Sequence, residues 1–269
     1  MNALKLAGIF LASVIAQSSP AQNAESLKIQ IGDVKDTRTT GKFFAGLDVD
    51  LKFIGDLMDS AERIKVIPSQ AIDETGKNLI DPEKKSDSFN KIGQSSGQKN
   101  FTLKLRNPAR RANSIKELSG EVQIFAPSLD ADSVVTITNV ASNATALPLE
   151  NKSLKTAGAE LSILNRAQYD ELKSKRNPAV GIEQLFSAFI PTHPNGLAIL
   201  VKDPQARIIG FEAIDAKGKT LFVPRTWKDD LSIYDVSKGL DPEMSVRILL
   251  GTPKSLVKVP FKFTDIALP

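Results

Sequence analysis

The sequence predicts an all-β protein built as two tandem β-sandwiches of seven strands each, with a short helical insertion in the second. Three observations predict it. A nine-residue pattern, A-I-D-x-x-G-K-x-L, occurs once in each half of the chain, inside a longer set of matches in the same order. Apolar residues alternate with polar ones over most of the matched segments. Glycine-containing turn signals punctuate the alternating runs.

The N-terminus stands apart from this pattern. Lys5 supplies a positive charge, and residues 6–16 form an apolar run of eleven residues, short of the roughly 20 needed to cross a bilayer. The polar stretch Gln17-Ser18-Ser19-Pro20-Ala21 follows, with Ser19 and Ala21 as small residues two positions apart. This is the layout of a removable signal peptide over residues 1–21, cut after Ala21, with Ala16 as a second site. Removing 21 of the 269 residues leaves 248, enough for one large domain or two of about 100–120 residues. The domains expected are 22–145 and 146–269. No later apolar stretch reaches membrane-spanning length, so no transmembrane segment is expected in the mature chain.

The repeat is carried by Ala71-Ile72-Asp73-Glu74-Thr75-Gly76-Lys77-Asn78-Leu79 and Ala213-Ile214-Asp215-Ala216-Lys217-Gly218-Lys219-Thr220-Leu221. Upstream, Gly46-Leu47 pairs with Gly196-Leu197 and Arg63-Ile64 with Arg207-Ile208. Downstream, Val122-Gln123-Ile124 pairs with Val246-Arg247-Ile248. Each motif reads as a strand end followed by a hairpin turn, with Gly76 and Gly218 supplying a positive φ, and with Ile72 and Ile214 expected to point into the cores.

The first seven strands are expected to begin near Leu27, Leu47, Ile64, Asn78, Phe101, Glu121 and Ser133. The second seven are expected near Leu161, Leu197, Ile208, Thr220, Leu231, Ser245 and Val257. Val49, Leu51 and Phe53 alternate with Asp48, Asp50 and Lys52, which gives one dry and one wet face. The β-branched run Val134-Val135-Thr136-Ile137-Thr138 and the run from Val257 to Phe263 read as the closing strands of their own repeats. The polar residues 141–155, with Pro148, form the expected joint. Two segments break the repeat. Residues 81–100 are rich in Ser, Lys, Gly and Asp and read as a loop. Residues 165–192 read as two helices, 167–175 capped by Asn165 and a second at 182–189; they cover a sandwich edge or the joint, or recruit a partner.

The segment from Ser232 to Ile248, with Gly239-Leu240-Asp241-Pro242 at its turn, resembles the strand, G-L-x-P turn and following strand of fibronectin type III domains. The resemblance covers one corner of one repeat and is architectural. It implies immunoglobulin-like sandwiches, a class that mostly provides adhesive, binding or spacer modules, among which fold alone does not choose.

Residues able to carry chemistry are few. Gly93-Gln94-Ser95-Ser96-Gly97 matches G-x-S-x-G, but no apolar strand precedes it, and the single histidine, His193, lies in the other repeat. Ser88-Phe89-Asn90-Lys91 and Ser96-Gly97-Gln98-Lys99 match S-x-x-K within the same polar loop. One histidine and no cysteine cannot supply a His/Cys zinc site. Asp48 and Asp50 share one strand face, which Lys52 continues as a solvated surface. Asp130-Ala131-Asp132 and Asp229-Asp230 lack the glycine and further ligands of a Ca²⁺ loop and read as turns. Arg106, Arg110, Arg111 and Lys116 read as a solvated basic loop, with an anionic partner as the alternative. Trp227 reads as a packing anchor rather than a sugar platform.

The formal charge of +4, one Trp and two Tyr give no concentrated cationic, aromatic face for nucleic acid. The absence of cysteine beside a signal peptide fits a bacterial periplasm or exterior. The function expected is a non-enzymatic exported binding, adhesion or structural spacer protein with no catalytic residue, cofactor or metal, acting on a protein or cell-envelope partner. The alternative is the accessory domain pair of a hydrolase, or a weak carbohydrate-acting protein.

Overall fold

The computed structural model of the chain describes residues 27–39, 45–82, 88–92, 99–145, 147–175, 197–228, 231–236 and 243–269. The signal segment and the helix expected at residues 182–189 lie outside the described residues. The described structure is mostly strand.

Sequence alternation becomes burial. In β2 (Gly46–Ile54), Leu47, Val49, Leu51 and Phe53 are buried while Asp48, Asp50 and Lys52 are half-exposed, as a two-residue period requires. β2 lies between β1 (Lys28–Thr37) and β5 (Lys99–Leu105) in antiparallel sheet A. Sheet B runs β15 (Leu256–Ala267), β6 (Ser114–Phe125), β3 (Arg63–Asp73) and β4 (Asn90–Lys91), again antiparallel. Leu47 and Leu51 from sheet A share one core with Ile64, Leu118, Val257 and Phe261 from sheet B. Each such side chain contributes about 1.5–3 kcal/mol when fully buried.

The second unit repeats this plan. Sheet C runs β11 (Thr220–Leu221), β10 (Ile208–Ile214), β14 (Ser245–Leu250) and β7 (Val134–Ile137). Sheet D runs β12 (Arg225–Lys228), β13 (Leu231–Val236), β9 (Leu197–Lys202) and β8 (Glu160–Asn165). Val135, Val246 and Ile248 of sheet C share a core with Leu161, Ile199 and Tyr234 of sheet D.

Among the described residues three short helices decorate the sheets. α1 (Leu57–Ser60) buries Leu57 and Met58. α2 (Lys152–Ala157) is capped by Asn151, whose Oδ1 accepts from Leu154 N at 3.1 Å, and ends on Gly158 at φ +70°. α3 (Arg166–Lys175) begins with a reciprocal cap: Asn165 Oδ1 accepts from Gln168 N at 2.9 Å, and Gln168 Oε1 accepts from Asn165 N at 2.8 Å.

The duplicated motif recurs atom by atom. Asp73 N donates to Lys77 O at 3.1 Å and Asp215 N to Lys219 O at 3.0 Å. Asp73 Oδ1 accepts from Lys77 N at 2.9 Å, and Asp215 Oδ1 from Lys219 N at 2.8 Å. Gly76 and Gly218 stand at φ +88° and +78°, where a Cβ is strained. One detail differs from expectation. Ala71 and Ala213, both at 0% exposure, face the cores, and Ile72 and Ile214 are only half-buried. The small side chain points inward because the strand parity places it there.

The closing strands are exchanged between the repeats. β7, expected to close residues 22–145, pairs with β14 in the second unit. β15, expected to close residues 146–269, pairs with β6 in the first. The two pairings share one register. Aligning Val122 with Val246 makes Phe125 equivalent to Leu249. Phe125 then pairs with Leu256 and Leu249 with Val134, while Val122 pairs with Val259 and Val246 with Ile137. The exchange is therefore reciprocal and symmetric. It also makes the second unit continuous, from β7 to β14, and inserts it between β6 and β15. Residues 141–155 lie within that unit, with Leu154 in its core. The chain crosses between units at residues 126–133 and 251–255 instead. The first crossing has two 3₁₀ turns, Pro127–Leu129 and Ala131–Ser133, and no Gly or Asn to supply the positive φ of a tight hairpin.

Candidate functional site at the joint between units

The two crossings run together and are tied by side chains at equivalent positions. Ser133 and Ser255 each directly precede their exchanged strand and are both at 0% exposure. Asp130 and Thr252 lie three residues before these serines. Ser133 Oγ donates to Asp130 O at 2.6 Å, and Ser255 N donates to Thr252 Oγ1 at 3.1 Å. Thr252 Oγ1 donates to Asp130 Oδ2 at 2.6 Å, linking the crossings. Ala126 N donates to Ser255 O at 2.9 Å. Phe125 and Leu249, the last equivalent pair before the crossings, are fully buried yet belong to neither core.

Beside the crossings lies a crosswise set of charges. Glu62 immediately precedes β3, and Arg63 is its first residue. Glu212 of β10 and Arg247 of β14 are cross-strand partners. Arg63 Nη2 donates to Glu212 Oε1 at 2.7 Å, and Arg247 Nη2 to Glu62 Oε1 at 2.8 Å. Arg247 Nη1 closes the chain of pairs on Glu212 Oε2 at 3.3 Å, and Lys91 Nζ stands 3.6 Å from Glu212 Oε1. The Arg63 and Glu212 side chains are 13% and 7% exposed. The hydrogen bond to Glu62, with the charges of Glu62 and Glu212, holds the Arg247 pKa above its ordinary value against the opposing effect of burial. Gly210 makes this approach available: a Cβ there would stand 2.8 Å from Arg63 Nε and 2.9 Å from Arg63 Cζ. Both oxygens of Glu212 are engaged, so the cluster positions two bodies rather than offering an open ligand site.

The residues singled out by sequence fall elsewhere. Asp50 Oδ1 accepts from Thr102 Oγ1 at 2.6 Å, and Asp48 lies 3.6 Å from Lys104 Nζ. The pair is engaged across strands on the outer face of sheet A. Asp130 caps its 3₁₀ turn, accepting from Asp132 N at 3.1 Å, while Asp132 accepts from Ser153 Oγ at 3.1 Å. Arg106 pairs with Asp81 at 3.2 Å, and Arg110, Arg111 and Lys116 are exposed. Asp229, Asp230, Ser95, Ser96 and His193, and the side chain of Trp227, lie outside the described residues.

A shallow cleft of about 380 Å³ opens where β2 ends, beside Lys52, Ile54, Asp56, Asp59 and Lys99. The one aromatic in its wall, Phe53, is 5% exposed and belongs to the core. Among the described residues no three His, Cys, Asp or Glu side chains converge on a metal position, and no helix is long and apolar enough to cross a membrane.

No protein family, curated protein or solved structure matches this chain.

Sequence reasoning did not identify Glu62, Arg63, Glu212 and Arg247 as a set. One signal was available: Glu212 interrupts the otherwise uncharged run Ile208-Ile209-Gly210-Phe211, two residues after the glycine that admits Arg63.

Proposed function

We propose that this chain is an exported, non-enzymatic protein of the bacterial periplasm or cell exterior, built from two immunoglobulin-like sandwiches and serving as a spacer or binding module toward a protein or cell-envelope partner. One observation carries the reading. The least exposed charged side chains between the units, Arg63 and Glu212, bond to each other at 2.7 Å and hold one unit against the other. The outer faces of sheets A and B suit a module in water: the exposed Lys104 pairs with the half-buried Asp48, and the exposed Lys262 with the half-buried Glu117. The test is crosslinking in intact cells of the native host, followed by fractionation and N-terminal sequencing. The reading expects a mature chain beginning at Gln22 or Gln17 in the periplasmic or secreted fraction, crosslinked to an envelope component. An intact Met1 in the soluble cytoplasmic fraction would contradict it.

A further inference from the structure

We infer that the crosswise set Glu62, Arg63, Glu212 and Arg247 is an orientation lock, a device that fixes the angle between two units the crossings alone leave free to turn. The lock is a matter of geometry and holds wherever the chain is located. The crossings form a two-stranded ribbon, with β6 and β15 on one side and β14 and β7 on the other. A ribbon resists stretching but yields to twist and to bending out of its plane. Rigidity needs a contact off the ribbon. β3 is the neighbour of β6, and β10 is the neighbour of β14, so Arg63 and Glu212 meet one strand to the side. Arg247 and Glu62 make the second, oppositely directed bond. Each unit thus contributes one acid and one base, and turning either unit separates both pairs together. Gly210 provides the notch in which the Arg63 guanidinium sits.

By strand parity Arg63, Glu212 and Arg247 point away from the faces on which their neighbours Ile64, Ala213, Val246 and Ile248 enter the cores. The absence of cysteine allows a clean test in the full chain. Spin labels go on Lys104→Cys, on sheet A of the first unit, and on Lys217→Cys, in the β10–β11 turn of the second. Pulsed dipolar spectroscopy then reads the distance between units. The expected result is one narrow distance in the parent and a broadened distribution in Glu212→Ala and Arg63→Ala, with far-UV circular dichroism unchanged. If Glu212→Ala does not fold, Glu62→Gln decides, since it removes only the half-exposed end of the set; a smaller broadening is expected. A folded variant with the parent's narrow distribution, or a parent that is already broad, overturns the inference.

Discussion

Thr252 Oγ1 lies 2.6 Å from Asp130 Oδ2, and the two residues hold the same place in their respective crossings, three before a buried serine that opens an exchanged strand. Equivalent residues that touch mark a local two-fold axis. Two copies of one repeat that traded their last strands and were then joined in one chain would have this geometry. The joint is thus woven through both units rather than strung between them.

That topology sets which fragments fold. A fragment of residues 130–252 contains every strand of the second core and should fold alone, giving a cooperative thermal transition and dispersed amide resonances. A fragment of residues 146–269 lacks β7 and carries an orphan β15; it should be molten or associate. Equal cooperativity in the two would count against the exchange.

The contact on the axis is worth a modest amount. Thr252→Val keeps the shape and removes both the donor to the half-buried Asp130 carboxylate and the acceptor for Ser255 N. A loss of about 1–2 kcal/mol is expected, read as a lower midpoint in urea at unchanged slope. An unchanged midpoint would mean that water replaces the hydroxyl without cost.

Asp73 gives a pH signature. Burial opposes its charge, but hydrogen bonds from Ala109 N, Thr75 Oγ1, Lys77 N and Thr75 N outweigh burial and hold its pKa below the ordinary value. A depressed folded pKa contributes stability that is fully present above the unfolded value, about 3.9, and is lost as pH falls through the lower folded value. Asp73→Asn should therefore be clearly less stable than the parent at neutral pH, with the gap shrinking below about pH 4. A gap independent of pH would remove the carboxylate from the account.

Two glycines separate conformation from space. A Cβ on Gly120 would stand 2.3 Å from the Ile67 carbonyl oxygen, opposite the bulge between Pro68 and Gln70. Gly120→Ala should cost about 3 kcal/mol. Gly76 has open space around it and only its positive φ to defend, so Gly76→Ala should cost about 1 kcal/mol. Urea titration of both variants checks the order; the reverse order would contradict the close approach of β3 to β6.

Much of the fold was legible because strand parity and turn chemistry are local. Val49 and Leu51 announce their buried face through Asp48 and Asp50, and Asp73 with Gly76 announces a turn that Asp215 and Gly218 repeat. The exchange was not legible, because alternation in Val134–Ile137 or Leu256–Ala267 says which face is buried and not whose sheet is beside it. The ion set was hidden for a related reason: Arg63 and Glu212 are 149 residues apart and meet only after both sheets exist. Sequence similarity between the repeats argues for closure within each, the opposite of what the pairing shows.

Disulfide trapping tests the exchange most directly, since the chain has no cysteine of its own. In the exchanged fold Gln123 pairs with Lys258. Were each repeat to close on its own last strand in the same register, Gln123 would face Thr136, which instead pairs with Arg247. With the strands exchanged, Gln123→Cys with Lys258→Cys should form an intramolecular disulfide in the folded monomer under mild oxidation, and Gln123→Cys with Thr136→Cys should not. A bond in the second pair and none in the first would contradict the exchange.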